Sequence, residues 1–383
     1  MIYTDKVMYA LEDISIVPAQ VSEIESRKQC NPRIEFGIEG SKNMYPIIAS
    51  PMDSVVSDWN LRTFLENGIS PVIPRNIPWQ RRLELCGSVF CAFSLSEVEG
   101  IFLRNQVELP DYNRYFVLID IANGHMKKQI QTGYELKKLY GDRLILMGGN
   151  IANPKTYELY NKAGFDYLRV SIGSGAGCIT ATQSSVFWPM ASLLDEIRKI
   201  KSPAKKASIL GGGQIREPGR CKVIADGGIR TYSDIIKCLA LGADYVMIGY
   251  TLSKMIESAG TLIDRKTGEI VRDSSGKVLN EEALRRYTRG GIIKEYHGMS
   301  TKEAQAGILG IELTEENRKK FKTSEGRKEE VLVTGNLRGW LDNFDSYMRS
   351  AMSYTGAKDL EYFKNNTQCI VLSEAASRKI NNK

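Results

Sequence analysis

The chemistry of this chain concentrates around one thiol. A short apolar run at 167–170 leads into three glycines at alternate positions, Gly173, Gly175 and Gly177, and then into Cys178, Ile179 and Thr180. Glycines at this density strip a turn of side-chain bulk and leave backbone N–H and C=O groups facing outward. Such a loop coils around an ion or a phosphate, or it presents the residue at its tip, here a soft nucleophile. The alternative is a flexible turn beside an ordinary packing cysteine.

Other polar and glycine-rich stretches also follow apolar runs: Ser50-Pro51-Met52-Asp53, Asp120-Ile121-Ala122-Asn123-Gly124, Gly148-Gly149-Asn150, Asp226-Gly227-Gly228 and Gly249-Tyr250. The elements that must position them are eight strand candidates, at 47–50, 69–73, 89–93, 116–120, 144–147, 167–170, 222–225 and 245–248, with amphipathic stretches between. Eight repeated βα units predict an α/β fold of the closed (β/α)8 barrel type, in which these loops gather at the C-terminal face.

The remainder of the chain fits one domain over 1–383. Residues 1–45 predict an irregular N-terminal segment with a short hairpin. A polar insertion at 202–220 contains Gly211-Gly212-Gly213, and a charged excursion at about 261–335 predicts a mobile flap after the eighth strand. A disordered surface insertion is the other reading of that excursion. A last helix is expected over 337–353, with Trp340, Leu341, Phe344, Tyr347 and Met348 at helical spacing.

Composition removes several classes of function. The net charge of +7 over 383 residues is modest, and no dense basic block interleaves with aromatics, so nucleic acid is not an expected partner. No signal peptide and no membrane-length apolar run is present. The seven cysteines are scattered and odd in number, without a CxxC pair, which predicts reduced thiols in a cytoplasmic protein. With only His125 and His297 present, a histidine-based zinc site is not expected.

Taken together, Ala49-Ser50-Pro51-Met52-Asp53, Asp120 to Gly124, the Cys178 loop, Ile224-Ala225-Asp226-Gly227-Gly228-Ile229, Val246-Met247-Ile248-Gly249, Tyr296-His297-Gly298-Met299-Ser300, Ser324-Glu325-Gly326 and the closing 349–357 resemble the IMP dehydrogenase / GMP reductase family in order and spacing. The resemblance implies a purine nucleotide held covalently at C2 by the Cys178 thiolate, with hydride exchanged with a nicotinamide. It implies substrate contacts from Ser50, Met52, Asp226, Gly227, Gly228, Gly249, Tyr250, Tyr296, Gly298, Met299 and Ser300. Asp226 would take the ribose hydroxyls, and Gly228 and Gly249 the 5′-phosphate. Asp120, Ile121, Ala122 and Asn150 would serve the cofactor. A monovalent cation, usually potassium, would rest on carbonyls of Gly173, Gly175 and Cys178. Square homotetramers, sometimes stacked to octamers, are also implied.

Within the family, Thr180, Glu325, Ser324-Glu325-Gly326-Arg327 and the Asp120 motif resemble the GMP reductase branch, which uses NADPH to convert GMP to IMP and ammonia in purine salvage. The span between Arg75 and Val89 has no room for the regulatory CBS-type domain pair of dehydrogenases. No flap Arg-Tyr pair follows the Tyr296 motif, and Asn317-Arg318-Lys319-Lys320-Phe321 lacks the tyrosine. Against this, Ser50-Pro51-Met52-Asp53, Leu168-Arg169-Val170 and the Cys-Ile-Thr triplet look more like the dehydrogenase. The alternative is therefore an IMP dehydrogenase without regulatory domains, oxidising IMP to XMP with NAD; a third reading is a non-catalytic or altered-substrate purine nucleotide binder. Two departures stand out: Ala176 occupies the place of the family's phosphate-contacting serine, and Tyr250 replaces a small residue.

Overall fold

The computed structural model describes residues 4–36, 43–176, 178–201, 221–298, 301–309, 311, 314 and 328–381. A first strand, β1 (Ile14–Val17), lies outside the barrel. Eight parallel strands then close on themselves: β2 (Ile47–Ala49), β3 (Ser70–Ile73), β4 (Phe90–Phe93), β5 (Tyr115–Ile119), β6 (Leu144–Ile151), β7 (Tyr167–Val170), β8 (Lys222–Asp226) and β9 (Tyr245–Ile248). The seam pairs Ile48 with Met247. All eight expected strands are barrel strands, with end shifts of a few residues, the largest at β6.

Alternation along each strand builds two cores, as the period of two requires. Ile48, Val72, Phe90, Phe116, Met147, Tyr167, Ile224 and Tyr245 fill the interior, while Ile47, Ala49, Cys91, Leu168 and Val246 pack outward under the helices. Phe36, from the N-terminal segment, lies 4.8 Å from the Tyr245 ring and 6.0 Å from Tyr167, closing the end where the strands begin. The opposite end carries the polar loops.

Between β3 and β4 the chain makes only one short helix, Trp79–Leu85, so no regulatory domain interrupts the barrel. The helix expected over 337–353 is present as Leu337–Tyr354, but it is not the last one: Leu360–Asn366 and Glu374–Asn381 follow it. The Leu337–Tyr354 helix buries Leu337, Leu341, Phe344, Met348 and Met352, one stripe at helical period, and Asn336 caps it by accepting the Gly339 N–H at 2.8 Å. Each fully buried side chain of this size contributes about 1.5–3 kcal/mol.

The described part of the excursion after β9 is folded. Strands β10 (Leu262–Asp264), β11 (Ile270–Arg272), β12 (Ile292–His297) and β13 (Lys328–Leu332) form an antiparallel sheet in the order β11-β10-β12-β13. It has its own small core of Leu262, Val271, Ala283, Ile292 and Val333. Fully buried Lys294 donates from Nζ to the carbonyls of Ser54 (3.4 Å) and Ser258 (3.2 Å), tying this sheet to the loop after β2. Burial pushes its ammonium well below the usual lysine value. Trp59 Nε1–H donates to the Ser274 carbonyl at 3.1 Å and adds a second tether. Over 262–298 and 328–332 the expected flap contains this antiparallel sheet, which the Lys294–Ser54 and Trp59–Ser274 bonds join to the chain after β2.

Of the expected N-terminal hairpin the described residues show one antiparallel bridge, in which Ile34 and Met44 exchange N–H···O bonds of 2.8 and 2.9 Å. β1 pairs instead with β14 (Gln368–Val371), near the chain's other end. The insertion at 202–220 lies outside the described residues.

Candidate active site

At the C-terminal face the loops after β2, β7, β8 and β9 and strand β12 enclose a cleft of about 410 Å³. Ser50 and Met52 form one wall, Asp226, Gly227 and Gly228 the floor, and Gly249, Tyr250 and Tyr296 the far side. These eight positions were expected to touch substrate, and the fold brings them together. A Cβ at Gly249 would stand 2.6 Å from Met52 Sδ, so a larger residue there would have to push the Met52 side chain aside. Gly227 adopts φ +102°, a left-handed conformation that side chains resist.

Gly175 and Ala176 line the same cleft and carry the chain to Cys178, which is half-buried. The Cys178 N–H donates to the Gly175 carbonyl at 2.9 Å, closing the turn. Cys178 Sγ lies 3.3 Å from Thr180 Oγ1, so thiol and hydroxyl are neighbours, as expected. The other six thiols are poorer nucleophiles: burial pushes Cys86 up to about 12, raises Cys91 far above the ordinary value, and raises Cys30, Cys221, Cys238 and Cys369. Gly177, Met299, Ser300 and Glu325, with the rest of 324–327, lie outside the described residues. Gly298 is buried at the end of β12, beside Tyr296 and His297.

The Tyr296 phenol stays protonated. Burial is the main cause, reinforced by the Asp226 and Glu329 carboxylates. Its hydroxyl lies 3.7 Å from Met52 Sδ, and its ring meets Tyr250 edge-on with centroids 5.3 Å apart. Tyr296 therefore joins the Met52 wall of the cleft to the Tyr250 side.

A fork of hydrogen bonds organises the floor. Arg169, on β7, donates from Nε to Asp226 Oδ2 and from Nη1 to Asp120 Oδ1, both at 2.8 Å. Asn150 Nδ2 donates to the same Asp226 Oδ2, also at 2.8 Å. Burial works against the Arg169 charge, but Asp226 and Asp120 outweigh it and hold the guanidinium protonated. Asn150, expected on the cofactor side, thus supports the Asp226 carboxylate directly. Asp120, half-buried Ile121 and exposed Ala122 form a shelf beyond the fork. A further tether, His297 Nε2 to Asp53 Oδ2 at 3.0 Å, connects β12 to the loop carrying Met52.

Three participants were not singled out from sequence: Arg169 as a double anchor, Arg230 on the cleft rim and the His297–Asp53 pair. For Arg169 the signal existed, since a lone charge inside an otherwise apolar strand must find partners. The described residues contain no cluster of His, Cys, Asp and Glu suited to a metal ion. A cation at the glycine loop would rest on backbone carbonyls, and the Gly175 carbonyl keeps one lone pair after bonding Cys178. Nor is any described helix long and apolar enough to cross a membrane.

A family model described as the IMP dehydrogenase / GMP reductase domain matches residues 102–382, and the chain belongs to that family. Among curated proteins it is similar to the GMP reductase of Bacillus subtilis strain 168, at 28% identity over 377 residues covering 95% of this chain and 96% of that protein. The GMP reductase of Staphylococcus epidermidis is 27% identical over 367 residues, covering 92% and 93%. That of Staphylococcus aureus strain N315 is 28% identical over the same length and coverage. The family members are oxidoreductases acting on purine nucleotides.

Proposed function

We propose that this chain is an NADPH-dependent GMP reductase that converts GMP to IMP and ammonia through a covalent bond between Cys178 and purine C2. The observation that carries this reading is the placement of the Cys178–Thr180 pair at the edge of the cleft whose floor is the braced Asp226 carboxylate.

Asp226 Oδ2 is committed to Arg169 and Asn150, which leaves Oδ1 to accept the ribose hydroxyls. The N–H groups of Gly228 and Gly249 meet the 5′-phosphate. Met52, oriented by Tyr296, lies against the purine face, and Gly298, Met299 and Ser300 are further substrate contacts that the family resemblance implies. Cys178 as thiolate forms the C–S bond at C2. The C2–N bond then breaks, and ammonia leaves with protons delivered through Thr180 and Glu325. A reduced nicotinamide at the Asp120–Ile121–Ala122 shelf would supply the hydride for the C2–H bond, and loss of the Cys178 sulfur from C2 would then give IMP and restore the thiolate.

The Asp120–Ile121–Ala122 shelf fits a nicotinamide ring: an apolar surface with a charged edge, held by Arg169 next to the nucleotide floor. Potassium on the Gly173, Gly175 and Cys178 carbonyls would favour the thiolate electrostatically. Family resemblance extends the reading to a homotetramer, which light scattering tests.

The reaction has a defined stoichiometry. One ammonia and one IMP should appear for each NADPH oxidised. Oxidation of NADPH without ammonia release would refute the deamination. The likeness of Leu168-Arg169-Val170 to the dehydrogenase keeps a second reading in view, NAD-dependent oxidation of IMP to XMP, and XMP formation from IMP would establish it.

A further inference from the structure

We propose that Arg230 is a specificity residue: its guanidinium binds the 5′-phosphate of the substrate in place of the hydroxyl lost at Ala176, and so restricts the cleft to phosphorylated purines. The proposal rests on the reading of this cleft as a purine nucleotide site.

Ala176 and Arg230 line the same cleft, together with Gly228, Gly249 and Tyr250. Ala176 can donate no side-chain hydrogen bond, so this end of the cleft has one donor fewer than a serine would give. Arg230 offers five donors in a planar fork that matches a phosphate. Among the described residues its guanidinium has neither an ion pair nor a hydrogen bond. Among the described residues, Asp226 is the one carboxylate that lines the cleft, and its partner cation is already Arg169.

The backbone holds Arg230 in place while leaving its side chain free. Its N–H donates to Asp234 Oδ2 at 3.0 Å, and its carbonyl accepts from Thr251 Oγ1 at 3.4 Å. Thr251 follows Tyr250, so the Arg230 loop is joined to the Tyr250 turn. Across that turn Lys254 Nζ sits 4.3 Å from the Tyr250 ring centroid and has no carboxylate partner among the described residues. Two cations with no carboxylate partner among the described residues therefore lie on either side of Tyr250, at the end that carries Gly228 and Gly249. The Asp234 bond belongs to the N-cap of the helix Tyr232–Ala240, which fixes where the Arg230 side chain starts, and a phosphate dianion at this end of the cleft would be attracted by both charges.

The chemistry distinguishes nucleotide from nucleoside. A charge-assisted fork lost from a dianion weakens nucleotide binding strongly, while a nucleoside never makes that contact. Arg230→Gln should weaken GMP binding about 30-fold in calorimetry, which is about 2 kcal/mol at 1.4 kcal/mol per tenfold. Guanosine affinity should stay within about twofold, a readout that also shows the variant is folded. Arg230→Lys should recover part of the loss, because a point charge replaces the fork.

A second measurement does not depend on the reaction. In the wild-type protein, phenylglyoxal should modify Arg230, and inorganic phosphate should protect it when the modified peptides are mapped by mass spectrometry. If phosphate protects Arg230 but GMP and NADPH give no IMP, the phosphate site stands and the reductase assignment falls. An Arg230→Gln variant that binds GMP as the wild type does, equal losses for GMP and guanosine, or labelling of Arg230 indifferent to phosphate would each overturn the proposal.

Discussion

Arg169 and Asp226 stand on adjacent barrel strands, and the 2.8 Å bond from Arg169 Nε to Asp226 Oδ2 links the floor of the nucleotide cleft to Asp120 on the neighbouring shelf. One buried cation thereby sets two carboxylates. Removing it leaves them close together without compensation. Arg169→Leu should lower the unfolding free energy by about 3–5 kcal/mol, the range for breaking a buried pair. Arg169→Lys, which keeps the charge but loses the fork, should raise the KM for nucleotide and cofactor together. Denaturant unfolding and initial rates check both; a change in only one KM would show that the link is structural alone.

Cys178→Ala should abolish turnover while GMP still binds. Retention of more than a few per cent of activity would remove the covalent role. In the wild type, iodoacetamide should label Cys178 faster than any other thiol, with nucleotide protecting it. Half-buried Cys369 is the stringent comparison, since burial raises its thiol as well.

The barrel was legible from sequence because parallel strands covered on both faces read as short continuous apolar runs. Tyr115–Ile119, buried throughout, is the clearest case. The loops that follow these runs were legible for the same reason, and the cleft collects eight of the expected substrate contacts. The sheet of β10 to β13 was not legible: strands of three residues such as Ile270–Arg272 carry too little alternation, and their anchor is a buried lysine, a residue type usually exposed. The β1–β14 pairing joins the two ends of the chain, and no local turn encodes it. Arg230 was hidden by its ordinary position after a glycine pair, where only the shared cleft reveals a use for its charge.

Tyr250→Phe tests the phenol at the phosphate end. If its hydroxyl donates to phosphate, the GMP KM should rise roughly tenfold, as for losing about 1.5 kcal/mol to a charged acceptor, with kcat little changed. An unchanged KM would leave Tyr250 as a packing partner of Tyr296. Improved use of GMP by Tyr250→Gly would show instead that the ring excludes phosphate.

Glu325→Gln should slow ammonia release strongly while GMP binding changes little. Loss of binding in that variant would make Glu325 a substrate ligand and not a proton-transfer group.

His125 should give stability a measurable pH dependence. Its Nε2 accepts the Ala152 N–H at 3.0 Å, so the proton resides on Nδ1, 3.1 Å from Thr156 Oγ1. Burial holds the folded ring below the ordinary value of 6.5. The unfolded state therefore takes up the proton first. The contribution is complete above 6.5 and is lost as pH falls below it. Urea titrations between pH 7 and about 5 should show falling stability, with a flatter profile in His125→Gln.

The central claim is the direction and identity of the reaction. The most direct measurement is absorbance at the reduced-nicotinamide band with purified protein in potassium buffer. The account predicts a steady loss of absorbance with GMP and NADPH, and none with the Cys178→Ala variant. A gain of absorbance with IMP and NAD, and no loss with GMP and NADPH, would contradict it in favour of the dehydrogenase; no change with either pair would contradict any turnover at Cys178.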